Sequence, residues 1–312
     1  MKREKRKFFP SKYGLIIIVV LLSIFVGGKV FQIEYTKKNE NLESKLNFGQ
    51  LLNKEVRTTP TISLPSPTPT LTPQQIAEIQ RKKFEEWNSK YGPCKWVPIL
   101  MYHHVLDSSV AKEISATNLN VPINTFREQM DYLLGKGYHV ISLDEMMAGI
   151  RSNSLPSKPV VLTFDDGYRD FYENVFPILR EKSIRATVFA ISQFVGGPRY
   201  VEWWQIREMV GSNLVLVGDH TLNHPSVLKL SVDEERNQIV SARKILEENT
   251  GQKVEFFAYP YGSYNSAAEQ ILKENGFIGA VVTTNVNPQC SGLPYELSRI
   301  RIGAGSLSRY GL

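Results

Sequence analysis

The fold of this chain is decided by the stretch Val160-Val-Leu-Thr-Phe-Asp-Asp-Gly-Tyr168, in which a run of apolar and β-branched residues leads directly into two acids and a glycine. An apolar run without polar alternation is typical of a strand that is buried on both faces. Asp165 and Asp166 should therefore lie where that strand leaves the sheet, which is where α/β folds place their chemistry. Adjacent carboxylates repel unless a cation lies between them, so the pair predicts a metal ion or a shared proton. A solvated turn is the alternative.

Two histidines could complete such a metal site. They occur in Gly218-Asp-His-Thr-Leu-Asn-His-Pro225, just after the apolar run Leu214-Val-Leu-Val217. His220 and His224 are four residues apart, and on one helical turn two imidazoles would face the same side. With Asp166 they make a two-histidine, one-carboxylate set that leaves positions open for water and substrate. The sequence therefore predicts a divalent metal cofactor, for which we expect Zn²⁺.

These motifs resemble those of the polysaccharide deacetylase (NodB-homology) superfamily, the family 4 carbohydrate esterases. Thr163-Phe-Asp-Asp-Gly167 matches the first motif of that family, His220-Thr-Leu-Asn-His224 matches the second, and Ala258-Tyr-Pro-Tyr-Gly262 resembles the third. The resemblance covers roughly residues 96–302. It implies an α/β fold, a distorted seven-stranded (β/α) barrel with its site at the carboxyl ends of the strands. It also implies a hydrolase that removes N-acetyl groups from the N-acetylglucosamine residues of a polysaccharide.

The resemblance also implies the catalytic residues. Asp165, next to the metal ligand, would be the general base, and the backbone N–H of Tyr261 would bind the oxyanion. Members similar to poly-N-acetylglucosamine deacetylases carry a Tyr-His pair on the first strand, and Pro98-Ile-Leu-Met-Tyr-His-His-Val105 contains one. Familiar members of the family keep the general-acid histidine late in the chain, but no histidine follows His224 here. His103 is therefore the candidate general acid.

The other two histidines receive weaker assignments. His104 is a neighbour of the candidate acid without an assigned role, and we interpret His139 as structural. The third motif departs from the family pattern, because Ala258 stands where an arginine usually holds the base carboxylate. Arg299 or Arg301, near the end of the chain, could replace it. The departure also leaves open a second hypothesis, a catalytically inactive module that binds glycans.

The pattern after Trp96 favours a repeated βα fold, because short apolar runs alternate with helical periods. Gln74 to Tyr91 is predicted to be a helix, and Ser142 and Ser231 begin two capping boxes. Gly276 is expected to end the helix 265–275. The predicted strands are Val97–Tyr102, Val160–Phe164, Ala186–Ile191, Leu214–Val217, Val254–Tyr259, Ile278–Thr283 and Ile300–Ile302.

The amino-terminal region indicates a membrane anchor. Residues 1–12 carry six basic side chains against one acidic side chain, which accounts for five of the six net positive charges. We therefore expect no nucleic-acid binding. Counted from Tyr13 to Ile33, a helix would reach about 31 Å, enough for one membrane span. The basic tail places the amino terminus in the cytoplasm and the rest outside. A cleaved signal peptide is the competing interpretation.

We thus expect four parts in this chain. They are a cytoplasmic tail with a transmembrane anchor (1–33), a polar stalk with a Pro/Thr-rich linker (34–73), a helix leading into the domain (74–93) and a polysaccharide deacetylase catalytic domain (94–312). The protein should be a monomer that meets poly-N-acetylglucosamine, peptidoglycan or chitin outside the cell. Cys94 and Cys290 are the only cysteines, and an extracellular location would permit a disulfide between them.

Overall fold

The computed structural model describes residues 22–26, 29–33, 72–284 and 288–312. The chain divides into two compact units, 1–68 and 69–312. Strands β1 (Leu22–Val26) and β2 (Lys29–Ile33) pair antiparallel in the first unit. Among the described residues, no helix is both long and apolar enough to cross a membrane. Most of the expected anchor, stalk and linker lies outside the described residues, so those assignments stay predictions.

The second unit alternates strands and helices along the chain. Its strands are β3 (Cys94–Lys95), β4 (Ile99–Tyr102), β5 (His139–Ile141), β6 (Pro159–Phe164), β7 (Ala186–Ala190), β8 (Val215–Asp219), β9 (Phe256–Ala258), β10 (Gly279–Val282), β11 (Gln289–Cys290), β12 (Leu297–Ser298) and β13 (Ile300–Arg301). Its helices are α1 (Pro73–Tyr91), α2 (Ser108–Glu113), α3 (Ile123–Gly135), α4 (Leu143–Ser152), α5 (Phe176–Lys182), α6 (Trp203–Gly211), α7 (Val232–Arg236), α8 (Ala242–Thr250) and α9 (Ser266–Glu274).

The parallel sheet curls into a nearly closed barrel. Its neighbours run in the order β12, β10, β9, β8, β7, β6, β4, β13, and β5 pairs with β6 beside this path. The two ends of the path, β12 and β13, are separated in the chain by Arg299 alone. One interrupted segment therefore pairs with β10 before Arg299 and with β4 after it. This confirms the predicted α/β class and the barrel architecture.

The deciding strand is buried on both faces, as its apolar run predicts. Alternate side chains of β6 point to opposite faces. Val160, Leu162 and Phe164 join one hydrophobic cluster, whereas Val161 joins a second. Their burial removes apolar surface from water at about 25 cal/mol per Å². The strand therefore holds Asp165 and Asp166, which follow it directly, on a rigid support.

Strand boundaries differ from the predictions at several ends. The strand predicted at 214–217 runs from Val215 to Asp219, since Gly218 and Asp219 continue the pairing with Phe189 and Ala190 of β7. The sequence did not predict β3, β5, β11 or β12, since two or three residues are too few to produce a periodic pattern. β9 and β10 are shorter than predicted.

Helix boundaries follow the capping signals closely. The predicted helix 74–91 is α1, which begins after Thr72 with a capping box. Both predicted boxes are present, with Ser142 N–H donating to Glu145 Oε2 over 3.0 Å and Ser231 N–H donating to Glu234 Oε2 over 2.8 Å. The left-handed Gly276 follows α9. Local sequence thus predicts the helix starts well.

The two cysteines form a disulfide at the amino-terminal end of the barrel, which we call the foot. Cys94 lies opposite Cys290 in the antiparallel pair β3–β11. The bridge joins positions 196 residues apart in the chain. It therefore ties the entry of the domain to its last βα connection.

Candidate metal and catalytic site

The predicted site residues meet at the carboxyl ends of the strands, which we call the mouth of the barrel. Asp165 and Asp166 follow β6, His220 follows β8, and His103 follows β4. A cleft of about 660 Å³ opens there. It is lined by all six residues that the sequence singled out: His103, Asp165, Asp166, His220, His224 and Tyr261.

Asp166, His220 and His224 form a group that could hold one metal ion. Asp166 Oδ1 lies 3.4 Å from His220 Nε2 and 3.5 Å from His224 Nε2. All three ligand atoms lie within 4.8 Å of one another. Asp166 Oδ1 is buried without a hydrogen-bond partner, which costs free energy unless a cation completes it. The three donors therefore fit a divalent ion.

Neighbouring groups orient these ligands and shift their pKa values. His220 Nδ1 lies 2.7 Å from the carbonyl oxygen of Ala258, which fixes the ring and leaves Nε2 facing Asp166. Burial would raise the pKa of Asp166, but the nearby imidazole of His220 outweighs this effect and lowers that pKa. Burial lowers the pKa of His224 to about 4, and the neighbouring His220 adds to this effect. Asp166 is therefore ionised and His224 neutral near pH 7.

The expectation that the two histidines share a helical turn is wrong. Residues 220–224 form a loop in which Thr221 and His224 have positive φ angles, +70° and +65°. Asp219 Oδ1 accepts from Thr221 N–H at 2.7 Å, and Thr221 Oγ1 accepts from His224 N–H at 2.9 Å. These short-range hydrogen bonds, rather than a helix, bring the imidazoles together.

A tight turn after β6 separates the two acids. Asp166 itself has φ +74°, and Gly167 follows with φ +72°. A Cβ on Gly167 would lie 3.2 Å from the backbone of Ala190, so a larger residue is strained there in both respects. The turn directs Asp166 to the histidines and Asp165 to a different partner.

That partner is Arg299. Its Nη1 and Nη2 donate to Asp165 Oδ1 and Oδ2 at 2.6 Å and 2.7 Å, and its side chain is 0% exposed. Arg301, the other sequence candidate, also lines the cleft, but it is exposed and donates to the carbonyl of Asn118 rather than to Asp165. Burial would raise the pKa of Asp165, but the Arg299 guanidinium more than offsets this and holds that pKa below its usual range. Arg299 thus supplies the arginine that is missing at Ala258.

The two histidines after β4 have different surroundings. His103 lines the cleft, and burial lowers its pKa although Asp165 and Asp166 act in the opposite direction. His104 is buried, its Nδ1 lies 2.9 Å from Asp170 Oδ1, and its ring stacks on Tyr168 at 3.7 Å. His104 therefore packs against Asp170 and Tyr168 and does not line the cleft.

Sequence reasoning missed Asp170. Its Oδ2 also accepts from Val105 N–H at 2.6 Å, so one carboxylate binds the turn that carries His103. Asp170 belongs to the segment after Asp165 and Asp166, and it joins the ends of β4 and β6. Nothing in the local sequence distinguishes it from a surface acid, because its partners are 65 and 66 residues away.

Tyr261 lines the cleft next to the metal ligand His224. It has φ +61° and is 68% exposed, and its ring centroid lies 4.7 Å from that of His224. His139 lies outside the cleft, where its Nδ1 is 2.7 Å from the carbonyl of Ser157. This surface position agrees with its structural interpretation.

Known proteins resemble this chain across the barrel. A family model described as "Polysaccharide deacetylase" matches residues 152–280. The structure titled "Streptococcus pyogenes deacetylase PplD in complex with acetate" has 31% sequence identity and a TM-score of 0.62, over 66% of this chain and 92% of that one.

Two curated relatives are each named "Poly-beta-1,6-N-acetyl-D-glucosamine N-deacetylase". The protein from Escherichia coli (strain K12) is 28% identical over 57% of this chain and 32% of its own length. The one from Staphylococcus aureus (strain MSSA476) is 26% identical over 54% of this chain and 62% of its own length. The alignments thus span only part of each relative.

Proposed function

Because the chain belongs to the polysaccharide deacetylase family, we propose that it is a metal-dependent enzyme that removes acetyl groups from the N-acetylglucosamine residues of a polysaccharide. One observation carries this proposal: the two adjacent acids have separate environments. Asp166 has an unpartnered oxygen between two imidazoles, whereas both oxygens of Asp165 are held by Arg299. Asp166 is therefore the metal ligand and Asp165 the general base.

The metal would be held by Asp166, His220 and His224. Two imidazoles and one carboxylate with open positions suit Zn²⁺, which is the ion that we expect. When bound, a divalent ion at this site supplies Lewis-acid activation of a water molecule and of the acetamide carbonyl.

The surrounding residues perform the proton transfers. Asp165 accepts the proton that water loses as it attacks the carbonyl carbon, and Arg299 fixes the direction of that carboxylate. The backbone N–H of Tyr261 donates to the developing oxyanion. Protonated His103 then gives its proton to the departing amine, and its lowered pKa makes the imidazolium a stronger acid. The products are acetate and a free amino sugar.

The preferred substrate that we propose is a poly-N-acetylglucosamine. The names of the Escherichia coli and Staphylococcus aureus relatives support this choice, as does the position of His103 directly after β4, the first long strand of the barrel. Peptidoglycan and chitin are the competing polymers. The hypothesis of an inactive glycan-binding module loses its main support, since Arg299 takes the place of the arginine absent at Ala258.

We also propose that the domain is a monomer held outside the cell by its amino-terminal anchor. The basic tail and the apolar segment 13–33 support a single span with this orientation. The Cys94–Cys290 disulfide supports an oxidising compartment.

Acetate release from the purified chain tests the proposed function. The polymers are poly-N-acetylglucosamine, peptidoglycan and chitin oligomers, each assayed with Zn²⁺ and with a chelator. We expect metal-dependent release, with Asp165→Asn inactive but still binding Zn²⁺ and Asp166→Asn defective in both. Bound Zn²⁺ without acetate release from any polymer would favour the inactive module. Full activity of Asp165→Asn would refute the assigned base.

A further inference from the structure

Trp204 is an exposed aromatic residue at the start of α6. Its side chain is 53% exposed, although large aromatic residues are usually well buried. Tyr172 holds it in place, with the two rings edge to face at 5.4 Å, and Tyr172 in turn stacks on Phe176 at 5.9 Å. An exposed tryptophan that its neighbours hold in place is typical of a binding surface.

A groove of about 330 Å³ lies beside this aromatic pair. We call it the rim groove; it is lined by Tyr172, Glu173, Phe176, Pro177, Arg180 and Glu208. Its polar groups are already ordered, since Tyr172 Oη donates to Glu208 Oε2 at 2.6 Å and Arg180 Nη1 lies 3.7 Å from Glu208 Oε1. Aromatic faces suit the C–H face of a pyranose, and carboxylate and guanidinium groups suit its hydroxyls.

The rim groove is lined mostly by residues that follow, in the same chain segment, one that lines the catalytic cleft. Tyr168 lines the cleft and stacks on Tyr200 at 5.3 Å. Four residues further along each of the same two segments, Tyr172 packs against Trp204. An ion pair of 3.2 Å between Arg169 and Glu202 joins the two segments between these aromatic pairs.

The groove runs along α5 and α6, from Tyr172 before α5 to Arg180 and Glu208 in the two helices. Helices of a βα barrel begin at the carboxyl ends of the strands, so the segments leading into α5 and α6 start at the mouth. A polymer that places one sugar above Asp166 extends beyond the cleft with its other sugars. A small acetamide does not.

We propose that the rim groove is a second sugar-binding subsite that holds the polysaccharide while a different residue of the same polymer is deacetylated. This rests on the proposed function and adds how the substrate is recognised. The occupant is the uncharged or partly deacetylated glycan chain.

Trp204→Ala tests the subsite, and Trp96→Ala is its matched control. Both tryptophans are 53% exposed, but Trp96 precedes β4 at the foot of the barrel, where it stacks on Phe84. For Trp204→Ala we expect the ratio of kcat/KM on a long polymer to kcat/KM on a disaccharide to fall about tenfold, the loss that one good binding contact carries. Trp204→Phe should restore most of the ratio, and Trp96→Ala should leave it unchanged.

Other outcomes would overturn the proposal. An unchanged ratio in folded Trp204→Ala would mean that the exposed ring serves a protein partner or a membrane surface instead. An equal loss on polymer and disaccharide would indicate a merely structural role. If the wild-type chain releases no acetate at all, co-sedimentation with the polymer decides separately: weaker binding by Trp204→Ala supports the subsite, and equal binding refutes it.

Discussion

The polar groups at the mouth and at the foot of the barrel differ in whether their hydrogen bonds are satisfied. At the foot, the Gln289 side chain donates to the carbonyls of Val97 and Ser298 and accepts from Ser298 N–H. At the mouth, Asp166 Oδ1 is buried without a partner, and Asp166 and Tyr261 have positive φ angles. Satisfied hydrogen bonds stabilise the fold, whereas unsatisfied atoms and strained backbone await a ligand.

Burial alone therefore does not identify the metal and catalytic site. Buried carboxylates occur side by side at the mouth, yet only one of the two lacks a partner on an oxygen. Changes at the mouth should affect catalysis more than changes at the foot, which should affect stability instead.

Arg299→Gln should have the largest effect. Removing one partner of a buried ion pair leaves the other charge uncompensated and costs about 3 to 5 kcal/mol of stability. We also expect activity to fall about 10²-fold or more, because the base loses its orientation. The matched control is Arg236→Gln, whose exposed guanidinium pairs with Glu274 between α7 and α9, outside the cleft. Comparable losses in both variants would contradict a special role for Arg299.

The same variant should change the pH dependence of residual activity. Arg299 lowers the pKa of Asp165 against the effect of burial, so that pKa rises when Arg299 is removed. Asp165 acts as a base only when ionised. Activity should therefore be lost at a higher pH in the variant as the pH falls, and a pH profile of kcat/KM measures this shift.

At the foot, replacing Cys94 and Cys290 by serine should lower stability and spare the chemistry. A crosslink between positions 196 residues apart restricts the unfolded chain strongly. Loss of such a bridge typically costs about 2 to 5 kcal/mol. We expect a lower midpoint of thermal unfolding but near-normal kcat at 25 °C. As a control, a reductant should lower the midpoint of the wild type but not of the double variant.

Sequence predicted the parts of the site that short motifs carry. Asp165 and Asp166 were identified from the strand that precedes them, and His220 and His224 from their spacing, although the helical reason given for that spacing is wrong. The spacing of the two histidines predicted that their side chains meet. The loop that brings them together depends on hydrogen bonds of Thr221 and Asp219, which leave no periodic pattern in the sequence.

Contacts across the barrel were beyond local patterns. Arg299 and Arg301 looked equivalent in sequence, since residues two apart on a regular strand face the same side. Arg299 lies at the interruption between β12 and β13, and only the closed barrel shows that its side chain is buried whereas Arg301 is exposed. The 134 residues between Arg299 and Asp165 leave no local trace of that contact. For the same reason, the role of His104 could not be deduced before the ends of β4 and β6 were seen together.

Asp170→Asn should have the smallest effect of the three changes, about a tenfold fall in kcat with little change in KM. An amide can accept one of the two hydrogen bonds that the carboxylate now accepts, from His104 and Val105, but its NH₂ group opposes the other donor. The turn after β4 should shift and move His103 away from the leaving amine. The control is Asp107→Asn, an exposed acid nearby whose side chain makes no capping hydrogen bond. A substrate with a better leaving group than an amine needs less help from a general acid, so an ester analogue should largely restore the rate of Asp170→Asn. An equal loss on amide and ester would mean that Asp170 supports the fold rather than the position of His103.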